Sequence, residues 1–124
     1  MFFGKNLYLY SMSPEETNHK IITFFENIEK YYGCKTEITE GLTTQFNHFD
    51  IDHTTWNLSE FTLIRSAYRN NGGKFMLEGD AMYYEMDATA IINLNEPGRN
   101  KFEFIEQYGE SVFRITKIRF HYKY

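Results

Sequence analysis

Apolar and polar side chains alternate most regularly in residues 74–94, KFMLEGDAMYYEMDATAIINL. A period of two residues is typical of a β-strand, because successive side chains of a strand point to opposite faces of the sheet. Within this stretch, the Gly79-Asp80 dipeptide favours a two-residue hairpin turn. We therefore predict one strand at residues 74–78 and a long return strand at residues 82–94.

The same period continues to the C-terminus. A turn at residues 95–100 leads to a third strand, and a second turn near Gly109 leads to the last strand. In the last strand, the apolar side chains of residues 113–115 are out of phase with those of residues 118–124. We therefore predict a β-bulge at residues 115–117 and a four-stranded antiparallel meander overall.

Two segments before this meander have the three- and four-residue spacing of helices. Ser13-Pro14-Glu15-Glu16 supplies an N-cap serine, a proline at the first helical position and a capping-box glutamate, so we predict a helix at residues 14–32. The spacing of Leu58, Phe61 and Ile64 predicts a second helix at residues 58–70. The remaining extended segments are short: residues 7–10, 35–39 and 42–51.

The expected fold class is α+β, with one domain spanning residues 1–124. About four C-terminal strands and the N-terminal strand form an antiparallel meander, and two helices pack on one of its faces. A single cysteine excludes an internal disulfide framework, and no apolar stretch approaches the roughly 20 residues that span a membrane. We expect a soluble cytoplasmic protein that lacks a signal peptide and does not bind membranes.

Charge and aromatic content favour a binding protein. The net charge is −4, and a negative chain lacks the basic field that non-specific nucleic-acid binding requires. Aromatic residues make up 19% of the chain, and such side chains are enriched in protein interfaces. Because no complete catalytic motif occurs, we expect a protein that is not an enzyme and needs no cofactor.

The leading functional hypothesis is a non-catalytic inhibitor that masks a basic partner protein. Examples would be an immunity protein that blocks a toxin or nuclease, or a phage-encoded inhibitor of a host defence protein. Carboxylates would attract the partner, and a few large rings would anchor it. The predicted interface comprises Tyr10, Glu37, Glu40, Asp50, Asp52, Trp56 and Glu60.

An alternative is a small-ligand or nucleotide-binding module that uses the aromatic sheet and a basic C-terminal strand. Its anion-binding residues would be Lys117, Arg119, His121 and Lys123. Alternation places these four side chains on one strand face. Carboxylates on neighbouring strands, namely Glu85, Asp87 and Glu103, could neutralise that face.

A further alternative is a metal-dependent hydrolase or nuclease. Its ligands would be His48, Asp50, Asp52 and His53, which combine imidazole and carboxylate groups. This spacing matches no specific metal motif, so we predict no metal site. The last strand could also form an exposed sheet edge, which would allow a homodimer.

Overall fold

A computed structural model of the protein describes residues 13–44, 54–69 and 73–123. Within these ranges, helix α1 (Pro14–Asn27) continues into a 3₁₀ turn (Ile28–Tyr31) and is followed by seven strands. The strands are β1 (Lys35–Thr43), β2 (Thr54–Arg69), β3 (Lys74–Gly79), β4 (Tyr83–Asp87), β5 (Ile91–Gly98), β6 (Lys101–Tyr108) and β7 (Val112–Phe120). They form one antiparallel sheet in the order β4-β3-β2-β1-β7-β6-β5.

The start of α1 is confirmed. Glu16 donates its backbone N–H to Ser13 Oγ at 3.1 Å, and Glu16 Oε1 accepts the Ser13 N–H at 2.9 Å, which completes the capping box. The α-helix ends earlier than predicted, at Asn27, because the last turn tightens into the 3₁₀ geometry. Gly33 follows with a φ of +91°, a conformation that glycine adopts without a steric penalty.

The predicted second helix is wrong, because residues 58–69 belong to the 16-residue strand β2. Of the three residues that suggested a helix, only Phe61 is buried, whereas Leu58 and Ile64 are exposed. The helical spacing is therefore coincidental. Pairing with β1 and β3, which no local pattern reveals, decides the structure of this segment.

Two other predicted boundaries are corrected. β1 runs through Gly41 without a break, and this glycine leaves room for the ring of Trp56, which a Cβ would approach to 2.6 Å. The predicted return strand is divided into β4 and β5 by a turn at residues 88–90. In this turn, Thr89 donates both its N–H and its hydroxyl to Asp87 Oδ1, a local bond that competes with strand pairing.

The predicted bulge at residues 115–117 is also wrong. β7 pairs with both β1 and β6 without a shift in register. It therefore lies inside the sheet, and the prediction that the last strand forms an exposed edge is wrong. Phe113 and Ile115 are out of phase because they are buried on the opposite face of the sheet from Ile118.

The fold thus agrees in part with the α+β expectation, since it is mostly sheet with one helix. The predicted four-stranded meander is wrong, because β4 and β5 lie at opposite ends of the strand order instead of side by side. The predicted strand at residues 7–10 and residues 45–51 of the predicted segment 42–51 lie outside the described residues.

The sheet must curl, because its two edge strands are consecutive in the chain. Six interstrand spacings of about 4.8 Å would give a flat seven-stranded sheet a width of about 29 Å. Yet β4 and β5 are joined through residues 88–90, and the four Cα–Cα steps from Asp87 to Ile91 span at most about 15 Å. The edges therefore approach each other, and we call the line between β4 and β5 the seam.

The main core lies on the inner face of this curl, where α1 packs. Phe24 contacts the rings of Phe102 and Phe104 edge-on, with centroid distances of 4.8 and 5.0 Å. Phe25 stacks on Phe75 of β3 at 3.8 Å. Helix α1 thus contacts side chains of β6 and of β3, which lie in opposite halves of the strand order, and these contacts stabilise the curl.

Candidate functional site

The predicted acidic interface is divided between the two faces of the sheet. Glu37 lies directly across from Glu60, and Trp56 lies across from Gly41, so Glu37, Glu60 and Trp56 share the outer face. Glu40 alternates to the inner face, where it contacts Arg114. The other predicted members, Tyr10, Asp50 and Asp52, lie outside the described residues.

The two outer-face carboxylates already have basic partners within the chain. Glu60 forms an ion pair with Lys35 at 3.1 Å, and both side chains are about half exposed. Glu37 hydrogen-bonds His121, and this bond is the main reason that the pKa of Glu37 is lowered. The outer face of β1 and β2 is therefore mixed in charge.

An exposed apolar side chain lies within this mixed surface. Leu58 is 69% exposed on the outer face of β2, two residues from both Trp56 and Glu60. Lys117 places its ammonium 5.0 Å from the centre of the Trp56 ring, a cation–π distance. We call Trp56, Leu58 and Glu60 the outer patch.

The predicted basic strand is formed in part. Lys117 and Arg119 project from the same face of β7, whereas His121 and Lys123 follow the end of that strand. Glu103 lies directly across from Lys117 on β6, as expected for a neutralising partner. The predicted roles of Glu85 and Asp87 are wrong, because these residues pair with basic residues of β2 and β3 near the far edge.

The metal candidates His48, Asp50, Asp52 and His53 lie outside the described residues. Within residues 13–44, 54–69 and 73–123, no group of three or more His, Cys, Asp and Glu side chains could hold a metal ion. In the same ranges, no helix has the length and apolar character needed to cross a membrane.

A partly buried polar cluster lies at the seam, and it is not predicted by the sequence analysis. Its members, which we call the seam cluster, are Glu40, Tyr84, Glu106, Tyr108, Arg114 and Thr116. They come from four different strands, and apart from Glu40 none of them was singled out. The sequence contains one sign of this cluster. Glu106 follows Phe102 and Phe104 at two-residue spacing, so alternation places its carboxylate on the same face of the strand as these two apolar rings.

Arg114 connects β1, β6 and β4 within the seam cluster. Its Nε donates to Glu40 Oε2 at 2.7 Å, and its Nη1 lies 3.4 Å from Glu106 Oε1. Nη1 also donates to the backbone carbonyl of Glu85 at 3.0 Å. The guanidinium carbon lies 4.5 Å from the centre of the Tyr84 ring. One side chain therefore joins both sides of the seam.

Glu106 is fully buried and fully bonded. Its Oε2 accepts the backbone N–H of Asp87 at 3.0 Å and the hydroxyl of Tyr108. Burial raises the pKa of Glu106 above its ordinary value, although these donors and Arg114 oppose the shift. Burial disfavours the charged form of Arg114, but contacts with Tyr84, Glu106 and Glu40 raise its pKa overall.

The tyrosines of the seam cluster are held in their neutral form. Burial raises the pKa of Tyr84 to about 12, and its hydroxyl shares a 2.7 Å hydrogen bond with Thr116. Burial and the hydrogen bond to Glu106 also raise the pKa of Tyr108. Perturbed groups of this kind occur in active sites and in structural networks. Here the hydrogen bonds of the cluster connect β4 to β6 and β7, and so stabilise the closed sheet.

No protein-family model, curated protein or solved structure matches this chain.

Proposed function

We propose that this chain is a non-catalytic binding protein that masks a partner protein through the outer patch. The observation that carries the proposal is the exposure of Leu58. This side chain is 69% exposed beside Trp56 on the outer face of β2, a strand that is flanked on both sides within the sheet. An aliphatic side chain next to a large amphipathic ring, with charged groups around them, resembles the arrangement of an interface hot spot.

The seam cluster supports the non-catalytic part of the proposal. Both oxygens of Glu106 are engaged by groups of the chain itself, and Arg114 is held by Glu40 and the Glu85 carbonyl. A general acid or base must reach a proton on its substrate, which these bonded groups are not arranged to do.

The net charge of −4 supports a basic partner, such as a toxin or a nuclease. The outer patch itself contributes little to that preference, because its carboxylate Glu60 and the neighbouring Glu37 both have basic partners within the chain. We therefore expect charge to accelerate association and the apolar anchors to set the affinity.

Affinity capture with paired variants tests this function. Tagged wild-type protein, Leu58→Asp and the control Ile22→Asp would each be incubated with lysate of the source cells, and bound material identified by native mass spectrometry. Ile22 is also exposed, at 47%, but lies on α1. We expect one partner, bound one-to-one, that wild type and Ile22→Asp retain and Leu58→Asp loses. Equal retention by all three would reject the outer patch.

A second candidate function is anion binding on the outer face of β6 and β7. Lys101 lies directly across from Arg119, and like charges in that position destabilise a sheet unless counter-charges are present. A depression of about 300 Å³ is lined by these two residues and Lys117, and by the carboxylates Glu37 and Glu103, so its described charged residues sum to +1. Here Lys117→Glu and Arg119→Glu should each weaken binding of a nucleotide or phosphate probe, whereas an unchanged affinity would exclude this geometry.

A further inference from the structure

We propose that the protein has a separate binding site for a small amphiphilic anion, between α1 and the turn that joins β5 to β6. The ligand class is an aromatic or acyl molecule that carries one carboxylate, sulfonate or phosphate. The site is a groove of about 540 Å³, which lies within the range of about 300–1,000 Å³ typical of ligand pockets. We call it the helix groove.

Aromatic side chains form the apolar lining of the helix groove. Phe24 meets Phe102 edge-on at 4.8 Å, and Tyr31 meets Tyr122 edge-on at 5.3 Å. Tyr31 also stacks on the buried ring of Phe120 at 4.0 Å, so this wall is continuous with the core. These rings offer faces and edges on which a planar or acyl body can pack.

Hydrogen bonds hold the back wall of the helix groove in place. Tyr31 donates its hydroxyl to Asn100 Oδ1 at 2.9 Å, and Asn100 Nδ2 donates to the Tyr122 carbonyl at 3.2 Å. Asn100 is buried at the β5–β6 turn and has a φ of +59°, a left-handed conformation that asparagine tolerates better than most residues. A wall fixed in this way loses little entropy when a ligand binds.

The charge of the helix groove indicates the sign of its ligand. Among the described residues that line it, the basic groups are Lys20, Lys30, Arg99 and His19, and Glu96 is the only carboxylate. The formal charges of these described lining residues sum to +2 with His19 neutral, in a chain whose net charge is −4. This local reversal of sign favours an anionic ligand, because like-charged ligands would be repelled and neutral ones would gain nothing from the cations.

The polar groups of the helix groove lie along one face of α1. His19, Thr23 and Asn27 are spaced four residues apart, which places them on the same side of a helix. Lys30 follows in the 3₁₀ turn, with its ammonium 5.0 Å from the centre of the Tyr31 ring. The positive groups thus border the aromatic lining, as an amphiphilic anion requires.

Fluorescence titration with 8-anilinonaphthalene-1-sulfonate, an aromatic sulfonate, tests this site on the folded full chain. We expect saturable binding to one site and at least a tenfold loss of affinity in the Lys30→Glu, Arg99→Glu double variant. The matched control is Arg65→Glu with Arg69→Glu, which changes the net charge equally on the outer face of β2. An equal loss in both double variants, or no loss in either, would overturn the proposal.

Two further measurements fix the ligand class. The neutral probe N-phenyl-1-naphthylamine should bind more weakly than the sulfonate and should not respond to the two charge reversals. Decanoate and phenyl phosphate separate an acyl carboxylate from a phosphate, and at least one should displace the sulfonate. Displacement by neither, or tighter binding of the neutral probe, would refute an anion site. The Thr23→Trp variant, which fills the helix groove, should also abolish sulfonate binding.

The helix groove is independent of the outer patch. Leu58→Asp should leave the sulfonate affinity unchanged, since β2 contributes no residue to the lining. A loss of sulfonate binding in Leu58→Asp equal to that of the Lys30, Arg99 variant would contradict a local site.

Discussion

Replacing Arg114 by methionine removes the cation of the seam cluster while keeping an unbranched side chain. Breaking a buried ion pair by removing one partner costs about 3–5 kcal/mol. We expect about 3 kcal/mol, the lower end of that range. The discount reflects solvent access, since the side chains of Arg114 and Glu40 are 18% and 31% exposed. Glu106, by contrast, is fully buried and would lose its only nearby cation among the described residues.

Urea denaturation followed by circular dichroism measures this loss. With an m value of about 1.5 kcal/mol/M, a loss of about 3 kcal/mol lowers the midpoint by about 2 M. The control is Arg65→Met, which breaks the exposed Arg65–Glu78 pair and should cost less than about 1 kcal/mol. If Arg114→Met costs no more than the control, then Arg114 does not hold the seam.

Comparing the stability of the Arg114→Met variant at different pH values tests the effect of the Glu106 charge. Burial raises the pKa of Glu106 in the folded state, so protonation of this carboxyl favours the folded state. This stabilisation is fully present below the unfolded pKa of 4.5 and is lost as pH rises through the folded-state pKa. Without Arg114, this loss should be larger at pH 7. The Arg114→Met, Glu106→Gln double variant should therefore be more stable than Arg114→Met at pH 7, by on the order of 1 kcal/mol. Equal stability would show that the unpaired carboxylate is not the cause.

Three further predictions concern single contacts. Gly41→Ala should lower the free energy of unfolding by about 1–3 kcal/mol, because the new Cβ would lie 2.6 Å from the Trp56 ring. The control Gly98→Ala should have little effect, and similar melting temperatures for the two variants would contradict this difference. Removing the partner in His121→Ala should raise the pKa of Glu37, as measured by NMR titration, and an unchanged midpoint would exclude their hydrogen bond as its cause. Tyr84 should remain protonated at pH 11 in an absorbance titration, because its pKa is raised to about 12, and its ionisation at pH 10 would contradict its burial.

Local chemistry made some elements predictable from the sequence. The Ser13–Glu16 capping box involves only residues close in the chain, so its signal is complete in the sequence. The strand at residues 74–78 is equally predictable, because only one of its faces is buried and its side chains therefore alternate strictly between buried and partly exposed positions. β2 was not predictable in this way, since its burial depends on which strands flank it.

The candidate sites are harder to predict from the sequence, because they depend on contacts between distant strands. Glu37 and Glu40 differ by three positions, so they point to opposite faces once β1 is continuous, and the assumed break at Gly41 concealed this. Arg114 and Glu85 meet only because the sheet curls until its edges approach. Such a contact depends on the order of all seven strands, which the spacing within any one strand does not encode.

We expect Trp56 to anchor the partner protein in the outer patch. Isothermal titration calorimetry of the captured partner with wild type and with Trp56→Ala, checked for folding by circular dichroism, measures its contribution. For a hot-spot ring, the predicted loss is more than about 2 kcal/mol, which is roughly a thirtyfold increase in Kd. Dissociation constants within about threefold of each other, roughly 0.65 kcal/mol, would contradict the claim.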